Sequence, residues 1–519
     1  MAKQSRYVGV DAIENIRGSI LIDEFDGGLN TKHSNESLRD SEAIIRQNWS
    51  NDERGAITKV NGFTKANSSK TMGANPVRGL FRCYTSAGTR KLLAVCDGKL
   101  FYSDDDAAFT QEGNTTAITE TEFNAFVNYN DKVFMTNATD NIIVYSPATD
   151  TAAAATDAPT DACKIILKRT DRRLIALNND VNGSTLYYSK IDPTGAADND
   201  WSATNDAGSM AIDGALSEKI VGGATFGSVD IVFKDYAAFQ VWGYPTPQAI
   251  KLPGSPGCAA PYSVAQGDGL CFHLAHDGVY LYDGNKFILI SDNIESIIDS
   301  ISPAYAKNAF GIYRDGLYWL FYTASGDIVN KNCVVYDAIH SNSYVGQNLW
   351  YSRVGLEVNC PTVFQGPLDD NQLYAGGSAS AGFVYRLDYS ASGADDIANI
   401  TSIYQTKYFD GGYSNMVKRF TKILVTFYLN TGSLTFNWYV NRGLTTGNYS
   451  GITGSTGTPL GSFILDTSTL GGILDTTSIA LLDDTAIGKN ISLKITNTAI
   501  GTAPVVRKIE VFWEGLYYE

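Results

Sequence analysis

Histidine is scarce in this chain, with four in 519 residues, and the seven cysteines include no C-x-x-C pair. Cys83, Cys96, Cys163, Cys258, Cys271, Cys333 and Cys360 are odd in number and widely spaced, which excludes a dense disulfide framework and reads as small buried hydrophobes of a chain made in a reducing compartment. No run approaches 18 apolar residues, so no membrane-spanning helix is expected. The opening MAKQSRYVGVDAIENIRG lacks the apolar stretch of a signal peptide. A soluble product is expected, and triplets such as Asn137-Ala138-Thr139 carry no glycosylation meaning without export.

Charge is also thin, at 18% of residues, and its balance is −15. Residues 401–519 hold nine Lys/Arg against eight Asp/Glu, so the first 400 carry 31 basic and 47 acidic side chains, a net of −16. Such a surface does not condense on phosphate backbones. A sequence-specific nucleic-acid binder is not expected, whereas an acidic wall past which DNA slides is compatible.

The motifs of common chemistries are missing. VGGATFGS (221–228) lacks the G-x-x-x-x-G-K-[ST] phosphate loop and reads as a turn, and no G-x-S-x-G elbow is present. His273 and His276, beside Asp277, form the only close histidine pair. Three residues apart on a strand they face opposite ways, so the expectation is one buried histidine and one in a turn. The acidic pieces SDDDAAF (103–109) and DAPTDAC (157–163) lack calcium-loop spacing and read as solvated turns. Arg172, Arg173, Arg314, Arg353 and Arg386 are scattered, and nothing singles out a carboxylate pair for glycoside hydrolysis among 55 acids. No catalytic, cofactor-binding or metal residue is assigned; the chain reads as a non-enzyme without a cofactor.

What is abundant is tyrosine (30) and glycine (49), the composition of many short strands joined by tight turns. Seven segments repeat one pattern, an apolar strand, an Asp/Asn/Gly turn and a second strand ending in aromatics: 91–105, 131–147, 172–190, 229–245, 269–291, 313–337 and 371–388. The turns CDGK, AHDGV and YDGNK carry the D-G dipeptide of two-residue hairpins, which needs positive φ twice. A period near 40 residues with paired strands predicts an all-β chain with a β-propeller of six or seven blades over 75–400. Residues 1–74 are expected to form an N-terminal arm and first strands. Residues 401–519, with longer alternating strands, are expected to form a C-terminal β-sandwich or jelly roll, with GNYSGITGSTGTPLGS (447–462) as an exposed loop. Within LTFNWYV (434–440) the buried face stays open. Ile294, Ile297, Ile298 and Ile301 predict a short amphipathic helix after an N-cap at Ser291 or Asp292.

Two resemblances add to this reading. YSDDDAAF and YSKIDPTGAADNDW resemble the Ser-x-Asp…aromatic turns of sialidase-like propellers, which implies a structural role away from any active site. The run FDGGLNTKHSNESLRDSEAIIRQNWSNDERGAITKVNGFTK resembles the opening of tailed-bacteriophage virion proteins, through Phe25, Gly27, Gly28, Leu29, Asn30, Asp40, Glu42, Ala43, Asn48, Gly55, Lys59, Gly62 and Phe63. Residues 277–322 and 405–427 are similar to later segments of the same group, the second to its propeller-to-sandwich junction. The resemblance implies a virion tail component, in the group of short-tailed phage nozzle or tail tubular proteins. It would be made in the host cytoplasm and assembled into a six-fold homo-oligomeric ring below portal and adaptor. Contact with tail fibres and an axial channel for transient DNA passage are also implied. The rival reading is a propeller that binds or hydrolyses glycans. His33 in FDGGLNTKH has no second ligand nearby; Gly27 and Gly28 are expected to turn the chain and Asn30 to bond its own backbone.

Overall fold

The computed structural model describes all residues except 1–15, 52–54, 68–71, 196–199, 215–216, 364–370, 380, 391–393, 396–397, 430–432, 454–475, 483, 499–503 and 519. Nearly all regular structure is strand, as the composition predicts. Among the described residues no helix is long and apolar enough to cross a membrane. The chain divides into two compact units, Gly62–Ser390 and a second built from Met1–Asn61 with Ala391–Glu519.

The first unit is a β-propeller. Six four-stranded antiparallel sheets stand as separate blades, and Phe310–Arg314, Leu317–Tyr322, Asn332–Asp337 and Trp350–Val354 form a further antiparallel set of four, giving seven such units in chain order. Each of the seven repeated segments falls in its own unit. The first strands Gly79–Tyr84, Ala125–Tyr129, Cys163–Lys168, Ile220–Phe226, Ala265–Gly267, Phe310–Arg314 and Val358–Val363 touch one another in sequence, and the last touches the first. These strands therefore ring the axis, and their leading ends share one face.

Closure is made by Gly62–Lys65, which pairs antiparallel with Val384–Ser390 as the outer strand of the last blade. Asn67, fully buried, latches this joint: its Nδ2 donates to Gly382 O (3.0 Å) and its Oδ1 accepts from Val384 N (2.8 Å). Closure through the chain's early residues removes an open sheet edge that would otherwise invite other strands.

The second unit is a two-sheet sandwich. One sheet runs Trp49–Ser50, Ile57–Lys59, Val505–Tyr518, Met416–Tyr428, Thr476–Leu481, with Arg17–Ile22 also on Val505–Tyr518. The facing sheet contains Glu42–Gln47, Ser402–Thr406, Ile491–Asn497, Ser433–Val440 and Thr445–Thr453. Between them lies a core including Phe25, Trp49, Phe420, Phe436, Trp438, Leu493 and Trp513. In 433–440 the alternation resolves with Leu434, Phe436, Trp438 and Val440 inside.

Several expectations change. The unit boundaries fall at 61/62 and 390/391, not 74/75 and 400/401, because residues 17–59 give their strands to the sandwich instead of forming an arm. Ile220–Phe226 makes VGGATFGS a strand up to its last two residues: a side chain at Gly223 would stand 2.8 Å from Leu177, so glycine serves close packing there. Asp97-Gly98 has positive φ at both residues, whereas Asp277 and Asp283 do not, since their turns span four residues. At the second, Asp283 Oδ1 accepts from Asn285 N and Lys286 N. The isoleucine pattern gives one 3-10 turn, Asp292–Ile294, and one α-turn, Glu295–Asp299; Ser291 Oγ is not a cap but accepts from Val279 N. Residues 447–453 are strand, and 454–462 lie outside the described residues.

Candidate functional site

The residues singled out in the sequence do not converge. His273 is fully buried among Phe233, Tyr280 and Phe287, and desolvation pushes its pKa down to about 3. His276 lies exposed on the Tyr236 ring at 4.9 Å. This is the expected division into one core and one turn histidine. His33 is exposed and held by Asn30, whose Oδ1 accepts from Lys32 N (3.1 Å) and His33 N (3.2 Å) while its Nδ2 donates to Glu42 (3.1 Å). Gly28 takes φ 78°, and a Cβ on Gly27 would meet Ser41 Oγ at 2.6 Å. The FDGGLNTKH stretch is thus a backbone turn, with Phe25 in the sandwich core. Arg46 fixes it from inside, donating to Phe25 O (2.8 Å) and Trp49 O (3.1 Å).

The acidic pieces are protein-bonded instead of merely solvated. Asp105 accepts from Ala108 N, Ala107 N and Ser103 Oγ, which hold its carboxyl below the usual range, so the Ser-x-Asp turn is structural. Asp161, buried, accepts from Asn182 Nδ2 (2.6 Å) and from the Tyr187 hydroxyl. Among the described residues no cluster of His, Cys, Asp or Glu has a metal-binding arrangement. The arginines keep separate partners: Arg172 with Asp192 (3.1 Å), Arg314 with Asp315 (3.0 Å), Arg386 over the Tyr389 ring (3.6 Å).

All seven cysteines are free and buried. Burial pushes the thiols up, to about 11 at Cys83 and Cys96 and about 12 at Cys163, which leaves them as packing groups without thiolate character.

The concave site of the propeller lies at the shared leading ends of its axial strands, a cleft of about 540 Å³. Arg78 directly precedes the first axial strand, and Phe123, Tyr262 and Lys307 lie two or three residues before the second, fifth and sixth; Lys164 and Asn359 are second residues of the third and seventh. The wall is aromatic: Phe123 meets Phe310 edge-on at 4.9 Å, and Tyr262 stacks on Phe310 at 5.0 Å. Tyr262 Oη donates to Phe123 O (3.2 Å). Arg78 lies over Phe123, 4.8 Å from the ring centre, and its buried Nε has no hydrogen-bond partner. Asn330 closes the floor, donating to Asn308 O (2.9 Å) and Asn359 Oδ1 (3.0 Å) and accepting from Thr323 Oγ1 (2.8 Å). Asp180 is held low by hydrogen bonding to Lys219, with Lys164 and Lys307 adding to the effect. Cys360, on the bulged strand beneath, takes φ 47°, a left-handed conformation rare for a side-chain-bearing residue. The cleft is not legible in the sequence because residues such as Arg78, Phe123, Lys164, Tyr262, Lys307 and Asn359 are unremarkable singly and come from separate blades. The signal shared by these six is position, within three residues of the start of an axial strand.

No known protein family matches the sequence, and no curated protein matches it. Solved structures similar to the chain include the computationally designed Ika8 protein, at 12% identity and TM-score 0.39, covering 70% of this chain and 100% of that one. YCF48 from Cyanidioschyzon merolae is 8% identical with TM-score 0.40, covering 63% of this chain and 98% of its own. A streptogramin B lyase is 10% identical with TM-score 0.40, covering 63% of this chain and 96% of its own. These likenesses transfer no activity, ligand or location to this chain.

Proposed function

We propose that the chain is a structural, non-enzymatic component of a tailed-bacteriophage virion. In this reading it is a nozzle-like ring subunit that continues the DNA-ejection channel and contacts tail fibres. The observation that carries an assembly role is the sheet of the sandwich that holds Val505–Tyr518 and Met416–Tyr428. Its last strand, Thr476–Leu481, pairs on one side only among the described residues, and exposes Ile479 (55%) and Leu481 (73%). Strand register sets Leu21, Glu510, Leu424 and Ile479 in one row and Ser19, Phe512, Lys422 and Leu481 in the next. An exposed apolar face that ends in an unpaired edge is a liability in a monomer and a natural contact in an oligomer.

The virion assignment draws on the resemblance of residues 25–63. Phe25, Leu29 and Ala43 are core positions of this fold, so the matched segment is a framework element. The acidic first 400 residues suit a channel that DNA leaves without adhering. Purified full-length protein is expected to form closed six-fold rings by sedimentation and negative-stain electron microscopy; a monomer at all concentrations contradicts the proposal. The glycan reading has the axial cleft in its favour, and glycan turnover or a glycan-array signal would support it over the structural one.

A further inference from the structure

We propose that the axial cleft of the propeller is a binding site for a small, ring-bearing carboxylate. The site is independent of the assembly role, since it lies within the propeller unit and is formed by one chain. At about 540 Å³ it has the size of a pocket for a molecule of one or two rings.

Charge points to an anion. Arg78, Lys164 and Lys307 line the cleft against Glu122 and Asp180, and Asp180 is already paired with Lys219. This local cationic excess stands in a chain of net charge −15, whose general field repels anions. Geometry points to a carboxylate. The Arg78 guanidinium rests on the Phe123 ring, 4.8 Å from its centre, and lines the cleft. A planar fork of donors already fixed by stacking fits two carboxylate oxygens and loses little freedom on binding.

The wall points to a ring. Tyr262, half-buried, presents aromatic surface beside Arg78, and its hydroxyl is tied to Phe123 O, which holds it in place against the buried Phe123 ring. A flat or alicyclic ring packs on that wall while its carboxylate meets Arg78. The floor amides of Asn330 are engaged with Asn308, Asn359 and Thr323, so the floor is rigid and specificity falls to Arg78, the lysines and the aromatic wall.

The test is calorimetric titration of the full chain with benzoate, glucuronate, acetate and inorganic phosphate. One ring acid is expected to bind once per chain, with acetate and phosphate at least about tenfold weaker. Benzoate and glucuronate distinguish an aromatic from a sugar acid, and either one supports the site. Arg78→Gln is expected to weaken binding by at least about tenfold. Lys307→Gln, at an exposed rim position, is expected to weaken it roughly twofold to threefold and decides the matter should Arg78→Gln disturb folding. The proposal is overturned if neither ring acid binds at millimolar concentration, if acetate or phosphate binds as well as they do, or if affinity is unchanged in the variants that fold.

Discussion

Lys418 gives the sharpest quantitative test of the sandwich. Its side chain is fully buried, and Nζ donates to three backbone carbonyls, those of Tyr413 (2.5 Å), Met416 (3.0 Å) and Lys489 (2.9 Å). Desolvation pushes its pKa from 10.5 down to about 8, opposed by a weaker pull from Asp410. The folded group therefore has the lower pKa, and between about 8 and 10.5 the unfolded chain binds more protons. Stability must rise with pH across that window: the burial cost is fully present below it and absent above it. The shift corresponds to about 3 kcal/mol as an upper bound, because the three carbonyl bonds favour the ammonium form and reduce the effect. Urea unfolding of the wild type and Lys418→Met across this range isolates the contribution, since tyrosine and cysteine titrations are common to both. The wild type is expected to gain on the variant by up to about 3 kcal/mol as pH rises. Parallel pH profiles, or a wild type that loses ground, would refute the reasoning.

Other consequences concern the propeller and the thiols. Asn67→Ala leaves Gly382 O and Val384 N without their side-chain partners at the closure, and is expected to cost about 1–3 kcal/mol in propeller unfolding; a change near zero means the latch is not structural. In the native protein none of the seven cysteines is expected to react with a thiol reagent at mildly alkaline pH, while all seven react in denaturant, because each is buried. A fast-reacting native thiol would contradict the packing described here.

Much of the propeller is legible locally. Hairpins such as Lys91–Ser103 and Val133–Tyr145 show short apolar strands around Asp, Asn and Gly turns, and both the strand pattern and the turn lie within one short window. What was not legible depends on distant pairing. Tyr385 meets Lys65, and Arg17 meets Glu514, across most of the chain, so the expected arm and first strands of residues 1–74 could not be placed in the sandwich, to which residues 17–59 give their strands. Gly223 misled in another way: it looks like a turn residue, but its place is set by Leu177 on a neighbouring blade. The axial cleft is harder still, because Arg78, Lys164, Tyr262 and Lys307 come together only when the blades close. The histidine pair was readable because the two-residue alternation of a strand alone fixes opposite faces.

The assembly role is tested most directly by locating the chain in purified tailed-phage particles that carry it with an affinity tag. Electron cryomicroscopy and copy-number measurement are expected to find a six-fold ring of the chain on the tail axis below the portal and adaptor. Absence from the particles, or an exterior position with no ring around the axis, would contradict the account.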